Sequence, residues 1–154
     1  MTTKTDTASI MSCLQADHER LDGLMKDTRT LLGSGDAEGA AAFFKQFRKG
    51  LLRHIEIEEG LLFPAFESAT GMQENGPTSV MRHEHTEIKR LLGLIEDLFE
   101  GSHPDAGEFE SLRSALVALL HEHNQKEERI LYPMCDRLID IEGRRDILTR
   151  MEGY

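Results

Sequence analysis

The sequence predicts an all-α protein: an up-down-up-down four-helix bundle with an internal two-fold repeat and a short C-terminal helix. Of its 154 residues, 30% are charged and 39% hydrophobic, only 6% are aromatic and none is tryptophan, which is typical of helical bundles. Apolar residues recur at steps of three and four through four long segments, two of which are near copies of each other. We expect a flexible N-terminus over residues 1–9, the bundle over 10–137, and an amphipathic helix or tail over 138–154.

The first two helices are indicated by two stripes of inward-facing residues at helical spacing. The first stripe precedes the breaker L-G-S-G-D and comprises Met11, Leu14, His18, Leu21, Met25, Thr28 and Leu32. The second helix is expected to begin near Asp36 and to end before the turn-rich T-G-M-Q-E-N-G-P. Its stripe comprises Phe44, Phe47, Leu51, His54, Glu58, Leu61 and Ala65. Each stripe carries polar residues where core residues are expected.

The third and fourth helices repeat this pattern. The third stripe precedes the breaker G-S-H-P-D and comprises Met81, His85, Ile88, Leu92, Ile95 and Phe99. Pro104 is placed to open the fourth helix or the loop before it. The fourth stripe comprises Phe109, Leu112, Leu116, Leu120, His123, Glu127, Ile130 and Met134. Short links between four long helices favour the up-down-up-down arrangement.

Two prolines mark the far ends of the second and fourth helices. Pro64 and Pro133 stand in L-F-P and L-Y-P, six residues after the inward-facing glutamate of each helix, and each is expected to kink or end its helix. Beyond them, a short amphipathic C-terminal helix is predicted from the spacing of Ile139, Ile147, Leu148 and Met151.

The near copies contain the candidate site. Each has a histidine followed four residues later by a glutamate, a spacing that places both side chains on one helical face, about one turn apart. Each is preceded by another histidine, in D-H-E-R-L and in E-H-T-E-I. The predicted metal ligands are therefore His18, His54, Glu58, His85, His123 and Glu127.

Four imidazoles and two carboxylates suit iron, manganese or zinc. They are more ligands than one tetrahedral zinc ion uses, so their number favours two metal ions bridged by Glu58 and Glu127. A buried polar network without metal is the alternative. It would leave ionisable groups unpaired in an apolar interior, which costs several kcal/mol per charge.

The remaining histidines are predicted to lie outside the site. His83 and His121 each stand two residues before a predicted ligand and should face away from it, and His103 lies in a loop beside Pro104. An alternative register that pairs His83 with Glu87 finds no equivalent glutamate in the second copy and loses the apolar stripe.

Several other polar residues flank the site. Glu59 and Glu128 directly succeed the two ligand glutamates at its edge, where they could accept the second N–H of a ligand imidazole. Glu84 and Glu122 are predicted on the outer face. Tyr132 is expected to pack in the core beside the proline, with a hydrogen-bonding or redox role at the centre as the alternative.

Charge and hydropathy exclude several classes of partner. The formal net charge of −10 argues against binding to nucleic acid or to an anionic membrane. The first residues lack the apolar core of a signal peptide, and no apolar run approaches the length of a membrane span, so we expect a soluble, cytoplasmic protein. Cys13 and Cys135 are expected to lie at different heights along the bundle and to remain reduced thiols.

With these motifs in place, the chain resembles a hemerythrin-like (HHE cation-binding) domain over roughly residues 10–137. The resemblance implies two iron ions in an oxo- or hydroxo-bridged di-iron centre, bridged by Glu58 and Glu127, with the four histidines as terminal ligands. Classical oxygen-carrying members have a fifth histidine where this chain has Met81, and an aspartate where it has Glu128. The departure argues against simple oxygen carriage.

The resemblance also implies a function. The expected activity is the binding of O2, a related small oxidant or NO for storage, delivery or sensing, so a binding or sensing protein is favoured over an enzyme. The alternative is a redox enzyme or stress protein that consumes peroxide or NO with electrons from a donor protein, or that donates iron for the repair of iron centres.

Overall fold

The computed structural model describes residues 9–101 and 103–154, and within these ranges it contains helices and no strands. The predicted flexible N-terminus lies outside the described residues except for Ser9, which caps the first helix by accepting a hydrogen bond from the amide of Ser12. The α-helices are α1 Ile10–Gly33, α2 Ala37–Ile57, α3 Phe63–Thr70, α4 Pro77–Glu100, α5 Ala106–Lys126, α6 Tyr132–Leu138 and α7 Ile141–Met151. The all-α bundle predicted from the sequence is confirmed.

The bundle is assembled from two helical hairpins that correspond to the two halves of the repeat. Helix α1 packs mainly on α2, and α4 packs mainly on α5. Asp36 and Asp105 cap α2 and α5, because their carboxylates accept hydrogen bonds from the amides of Gly39 and Glu108, both at 2.8 Å. Helix α7 is the predicted C-terminal helix, and it buries Ile147 and Leu148.

The core has two apolar layers with a polar level between them. One layer lies toward the α1–α2 turn and includes Leu21, Met25, Phe44, Phe47, Leu51, Ile88 and Leu120. The other lies around α3 and α6 and includes Ile10, Leu14, Leu62, Phe63, Phe66, Met81, Leu131 and Cys135. The six predicted ligands lie between these layers, so packing on both sides holds them in place.

Each duplicated segment contains one π-helical turn, and this changes the predicted core. The turns span Glu58–Leu62 and Glu127–Leu131, and each begins at a predicted ligand glutamate. At their ends the amide of Phe63 donates to the carbonyl of Glu58, and the amide of Tyr132 donates to the carbonyl of Glu127, five residues back. The helices therefore do not end before Pro64 and Pro133; they continue as α3 and α6.

A π-turn accommodates one extra residue, so every position after it rotates relative to a regular helix. The predicted core positions beyond the glutamates are consequently wrong by one residue. Leu62 and Phe66 are fully buried in place of the predicted Leu61 and Ala65, which are only partly buried. In the second copy Leu131 is buried, whereas the predicted Ile130 is 53% exposed.

The two cysteines are not joined by a disulfide: Cys135 is buried and Cys13 is partly exposed. None of the helices in the described part of the chain is both long enough and apolar enough to span a membrane.

Candidate metal centre

The structure brings all six predicted ligands together in the interior. His18 is 4% exposed and each of the other five is at most 2% exposed. Their ligand atoms form two groups whose members lie within 4.8 Å of one another. One group contains Glu58, His85, His123 and Glu127, and the other contains His18, His54 and Glu127. Glu127 belongs to both groups, as expected of a carboxylate that lies between two candidate metal positions.

The inner imidazole nitrogens face the two carboxylates in symmetric pairs. Glu127 Oε1 lies 3.2 Å from His18 Nε2 and 3.3 Å from His123 Nε2. Glu58 Oε1 lies 3.2 Å from His85 Nε2 and 3.6 Å from His54 Nε2. The two-fold repeat of the sequence is therefore reproduced in the site, since the internal symmetry exchanges Glu58 with Glu127.

The outer nitrogen of every imidazole is held by a carboxylate from a neighbouring helix. The Nδ1–carboxylate distances are 2.8 Å for His54 to Asp17, 3.0 Å for His85 to Glu59, 2.8 Å for His123 to Glu84 and 3.1 Å for His18 to Glu128. Each contact joins two neighbouring segments of the bundle: α1 to α2, the π-turn after α2 to α4, α4 to α5, and the π-turn after α5 to α1. The four contacts therefore form a closed ring around the centre. We call Asp17, Glu59, Glu84 and Glu128 the outer carboxylates.

The outer carboxylates determine which imidazole nitrogen is available inside. A carboxylate beside Nδ1 accepts its N–H, which leaves the lone pair on Nε2 directed at the centre. Glu58 Oε1, His85 Nε2 and both carboxylate oxygens of Glu127 have no hydrogen-bond partner within the described structure. Buried acceptor atoms without a hydrogen-bond partner are costly, and a cation between them removes this cost. The residues present therefore fit a metal site.

Burial and the opposing carboxylate separate the acidities of the central pair. Burial, together with the negative charge of Glu127, raises the pKa of Glu58 well above its usual range. Burial acts to raise the pKa of Glu127 as well, but its contacts with Glu58, His123 and His18 outweigh this and hold it well below the usual range. The metal-free centre thus keeps a proton on Glu58 and a negative charge on Glu127.

The same forces shift the pKa values of His85, Asp17 and Glu84. Burial and the neighbouring His123 lower the pKa of His85 to about 4, so this imidazole stays neutral at physiological pH. For Asp17 and Glu84, burial acts to raise the pKa, but contacts with His54 and with Lys126 respectively lead to a net lowering. Both outer carboxylates therefore remain ionised acceptors.

Tyr132 reaches the centre, so the structure agrees with the alternative of a hydrogen-bonding role rather than with packing beside the proline alone. Its hydroxyl donates to Glu58 Oε2 at 2.8 Å and lies 3.2 Å from His54 Nε2 and 3.3 Å from His18 Nε2. Burial, with the charges of Glu127 and Glu58, raises its pKa well above the usual range, so it remains a protonated phenol. The π-turn before it directs the side chain inward.

The repeat is broken at this position. Phe63 is the equivalent of Tyr132, and the two rings stack on equivalent imidazoles: Phe63 on His85 at 5.7 Å and Tyr132 on His18 at 5.8 Å between centroids. Only Tyr132 carries a hydroxyl, so a proton donor is present on the His18 side of the centre and not at the equivalent point on the His85 side.

Replacing Tyr132 with phenylalanine is expected to destabilise the metal-free protein. The ring and its packing are retained, but Glu58 Oε2 loses its donor in a fully buried setting, which costs about 1–3 kcal/mol of unfolding free energy. Urea unfolding of metal-free wild type and Tyr132→Phe measures this difference. Equal unfolding free energies would show that the hydroxyl contributes no stabilising hydrogen bond.

Sequence reasoning missed part of the outer ring. Asp17 is not among the predicted residues, and the prediction of Glu84 on the outer face is wrong: its side chain is only 15% exposed and contacts His123. A signal is present in the sequence, because both acids directly precede a ligand histidine, in Asp17-His18 and Glu84-His85. The expectations for Glu59 and Glu128 as imidazole partners agree with the contacts observed.

The other polar predictions match the structure. His83, His103, His121 and Glu122 are all exposed. The ligand level is also walled by apolar side chains, since a small void beside the ligands is bordered by Leu21, Leu51, Ile88 and Leu120.

Comparison with known families supports the resemblance inferred from the motifs. Residues 9–135 match the family described as Hemerythrin HHE cation binding domain. No solved structure matches the chain significantly.

Three curated relatives illustrate the similarity. The iron-sulfur cluster repair protein YtfE of Edwardsiella ictaluri is 34% identical over 106 residues, which cover 65% of this chain and 48% of that protein. The YtfE of Musicola paradisiaca is 31% identical over 64% of this chain and 47% of its own length. A DNA nickase of Nostoc sp. is 30% identical over 80% of this chain and 32% of the nickase. The chain thus spans about half the length of the repair proteins.

Proposed function

We propose, for a chain that belongs to the hemerythrin HHE cation-binding domain family, that its centre holds two iron ions and binds O2, a related small oxidant or NO. The proposed ligands are His18, His54, Glu58, His85, His123 and Glu127, with Glu58 and Glu127 shared between the two ions. Manganese or zinc would satisfy the same nitrogen and oxygen ligands, but iron matches the family and supplies the redox chemistry that an oxidant needs.

The observation that supports this proposal is the inward orientation of four imidazole Nε2 atoms around two carboxylates. The ligand atoms lie in two overlapping groups, and four of them have no hydrogen-bond partner among the residues described. A structural polar network would pair these atoms with one another. Their unpaired state supports the metal site over that alternative.

The protein's own residues prepare the site for a small ligand. The outer carboxylates hold the Nδ1 protons and keep each imidazole oriented, so the ligands do not have to rearrange. Leu21, Leu51, Ile88 and Leu120 border the ligand level and limit the entry of water. The Tyr132 hydroxyl donates its proton to Glu58 Oε2 and lies 3.3 Å from His18 Nε2. Such a preorganised, dry site suits storage, delivery or sensing of the ligand.

The experiment that tests this function is an anaerobic titration. Reduced, iron-loaded protein is mixed with O2 and its visible absorption recorded, the O2 is then removed, and NO is tested in a parallel sample. A new charge-transfer band that disappears on removal of O2 indicates reversible binding. Irreversible oxidation of the reduced centre indicates redox chemistry instead. Iron-loaded protein that responds to neither O2 nor NO would contradict the proposal.

A second candidate function is favoured by the relatives. Two proteins similar to this chain are named iron-sulfur cluster repair proteins, so the same centre would donate iron to a damaged cluster on a partner protein. Transfer of iron from the loaded protein to an apo iron-sulfur protein, followed by the return of cluster absorbance, separates this function from ligand binding. A redox turnover would in addition require an electron-donor protein.

A further inference from the structure

The internal repeat places two equivalent sides around the centre, and these sides differ among the described residues. A groove of about 640 Å³ runs along α1 and α5 on the His18 side. It shares five lining residues with the void of about 10 Å³ beside the ligands: His18, Asp22, Phe47, Leu120 and Asn124. The groove and the void therefore meet at these side chains.

The equivalent side has different residues at the matching positions. The counterpart of Asn124, one position after the ligand histidine, is Ile55, which is 1% exposed. The counterpart of Asp22, four positions after the other histidine, is Lys89. Asp22 and Asn124 thus form a polar pair at the inner end of the groove. At the matching positions the other half of the repeat has the buried, apolar Ile55 and the exposed, cationic Lys89.

The C-terminal helix packs on α2 and on the π-turn that follows it. Arg53 donates hydrogen bonds to the carbonyls of Met151 and Tyr154, at 3.0 and 2.9 Å. This holds Tyr154 over the π-turn, where a Cβ on Gly60 would lie only 2.8 Å from the Tyr154 hydroxyl. The counterpart of Gly60 is Arg129, which lines the open groove. Within the described structure, a helix packs in this way at one half of the repeat only.

We propose that the groove between α1 and α5 is the entrance to the metal centre and that Asp22 and Asn124 admit small, uncharged, hydrogen-bonding molecules such as hydrogen peroxide. This inference rests on the proposed function, since it concerns the ligand of the same centre. The groove selects neither anions nor cations, because it is lined by charges of both signs: Glu19, Asp22 and Glu128 against Lys26, Arg29, Arg113 and Arg129.

The polarity of the inner end argues for a hydrogen-bonding ligand. The surrounding residues Phe47 and Leu120 are apolar, so a polar molecule that passes between them must lose hydrogen bonds to water. Asp22 and Asn124 can replace those hydrogen bonds at this point, which lowers the cost of desolvation. An apolar gas gains nothing from such a pair and is limited only by the size of the passage.

The test of the entrance narrows each side of the repeat with the same side chain. Asp22→Trp and its counterpart Lys89→Trp both alter exposed positions one turn after a ligand histidine, so each is expected to fold and retain iron. In stopped-flow mixing of the reduced, iron-loaded protein, we expect Asp22→Trp to slow NO binding and oxidation by peroxide at least about tenfold. The Lys89→Trp rates should stay within about twofold of wild type. Equal rates in the two variants would refute the assignment of this groove as the entrance.

The test of the ligand class removes polarity without adding bulk. Asn124→Leu is expected to slow oxidation by hydrogen peroxide at least about tenfold and to leave the rate of NO binding within about twofold. An unchanged peroxide rate, or an equal slowing of both reactions, would overturn the preference for a hydrogen-bonding ligand. Wild-type protein that holds iron but reacts with neither probe would instead contradict the proposed function itself, and the failures can thus be told apart.

Discussion

Glu58→Ala is expected to lower the bound iron from two ions per chain to one or none. The carboxylate is fully buried, and its Oε1 faces the Nε2 atoms of His85 and His54 at 3.2 and 3.6 Å. Its removal takes away the anionic ligand that we propose the two ions share and leaves two imidazoles facing a cavity. Iron content per chain after anaerobic reconstitution and desalting, determined with a colorimetric chelator, measures the effect.

The control for this change lies in the same helical turn. Glu56 stands between His54 and Glu58 in the sequence and is exposed, so Glu56→Ala removes an equal charge without touching the centre and should retain two iron ions. His54→Ala is expected to lower the iron content as Glu58→Ala does. Full retention of two ions in either the His54 or the Glu58 variant would refute the ligand assignment.

Asp17→Asn is expected to weaken metal binding about 10- to 100-fold, the usual effect of removing a carboxylate that orients a ligand histidine. Asp17 Oδ2 lies 2.8 Å from His54 Nδ1, so the carboxylate fixes the ring and makes Nε2 a better donor to metal. An amide in its place no longer carries the charge that stabilises the ligating imidazole. Competition with a chelator of known affinity measures the change.

The repeat predicts that Glu84→Gln has a similar effect through His123, whose Nδ1 lies 2.8 Å from Glu84. Asp27→Asn is the matched control for Asp17→Asn, since Asp27 is exposed on the same helix and its substitution should leave metal affinity unchanged. If Asp17→Asn bound metal as tightly as Asp27→Asn, the outer ring would have no part in metal binding.

The duplicated sequence does not produce two equal halves. Tyr132 donates to Glu58 on the His18 side, whereas the equivalent Phe63 has no hydroxyl. The groove between α1 and α5 lies on the His18 side as well. The proton donor and the proposed entrance therefore coincide, which makes the His18 half of the centre the one prepared to meet a ligand.

The positions of the six predicted ligands could be read from the sequence because the α-helical face is regular up to the glutamate that begins each π-turn. A residue every three to four positions defines one face, so His18, His54, His85 and His123 fall in line with the apolar stripes of their helices. Burial of all four, with Glu58 and Glu127, agrees with that pattern. The same three-to-four-residue spacing indicates both the helical bundle and the height along it at which the site lies.

The orientation of residues beyond the glutamates could not be read in this way. A π-turn starts at Glu58 and another at Glu127, and each shifts the buried face of the succeeding helix by one residue. This shift buries Leu62 and Leu131 and turns Tyr132 toward the centre. The prolines indicated an irregularity, but a periodicity of 3.6 residues carries no information on a turn that departs from it.

Local spacing along each helix was enough to predict the helical class, the repeat and the faces that carry the predicted ligands. The partners of these side chains depend instead on the packing of whole helices. Asp17 meets His54 and Glu84 meets His123 across helix boundaries, and the groove at Asp22 and Asn124 exists because α1 and α5 leave space between them. The spacing of residues within one helix does not specify how that helix lies against its neighbours, so these contacts appear only in the assembled bundle.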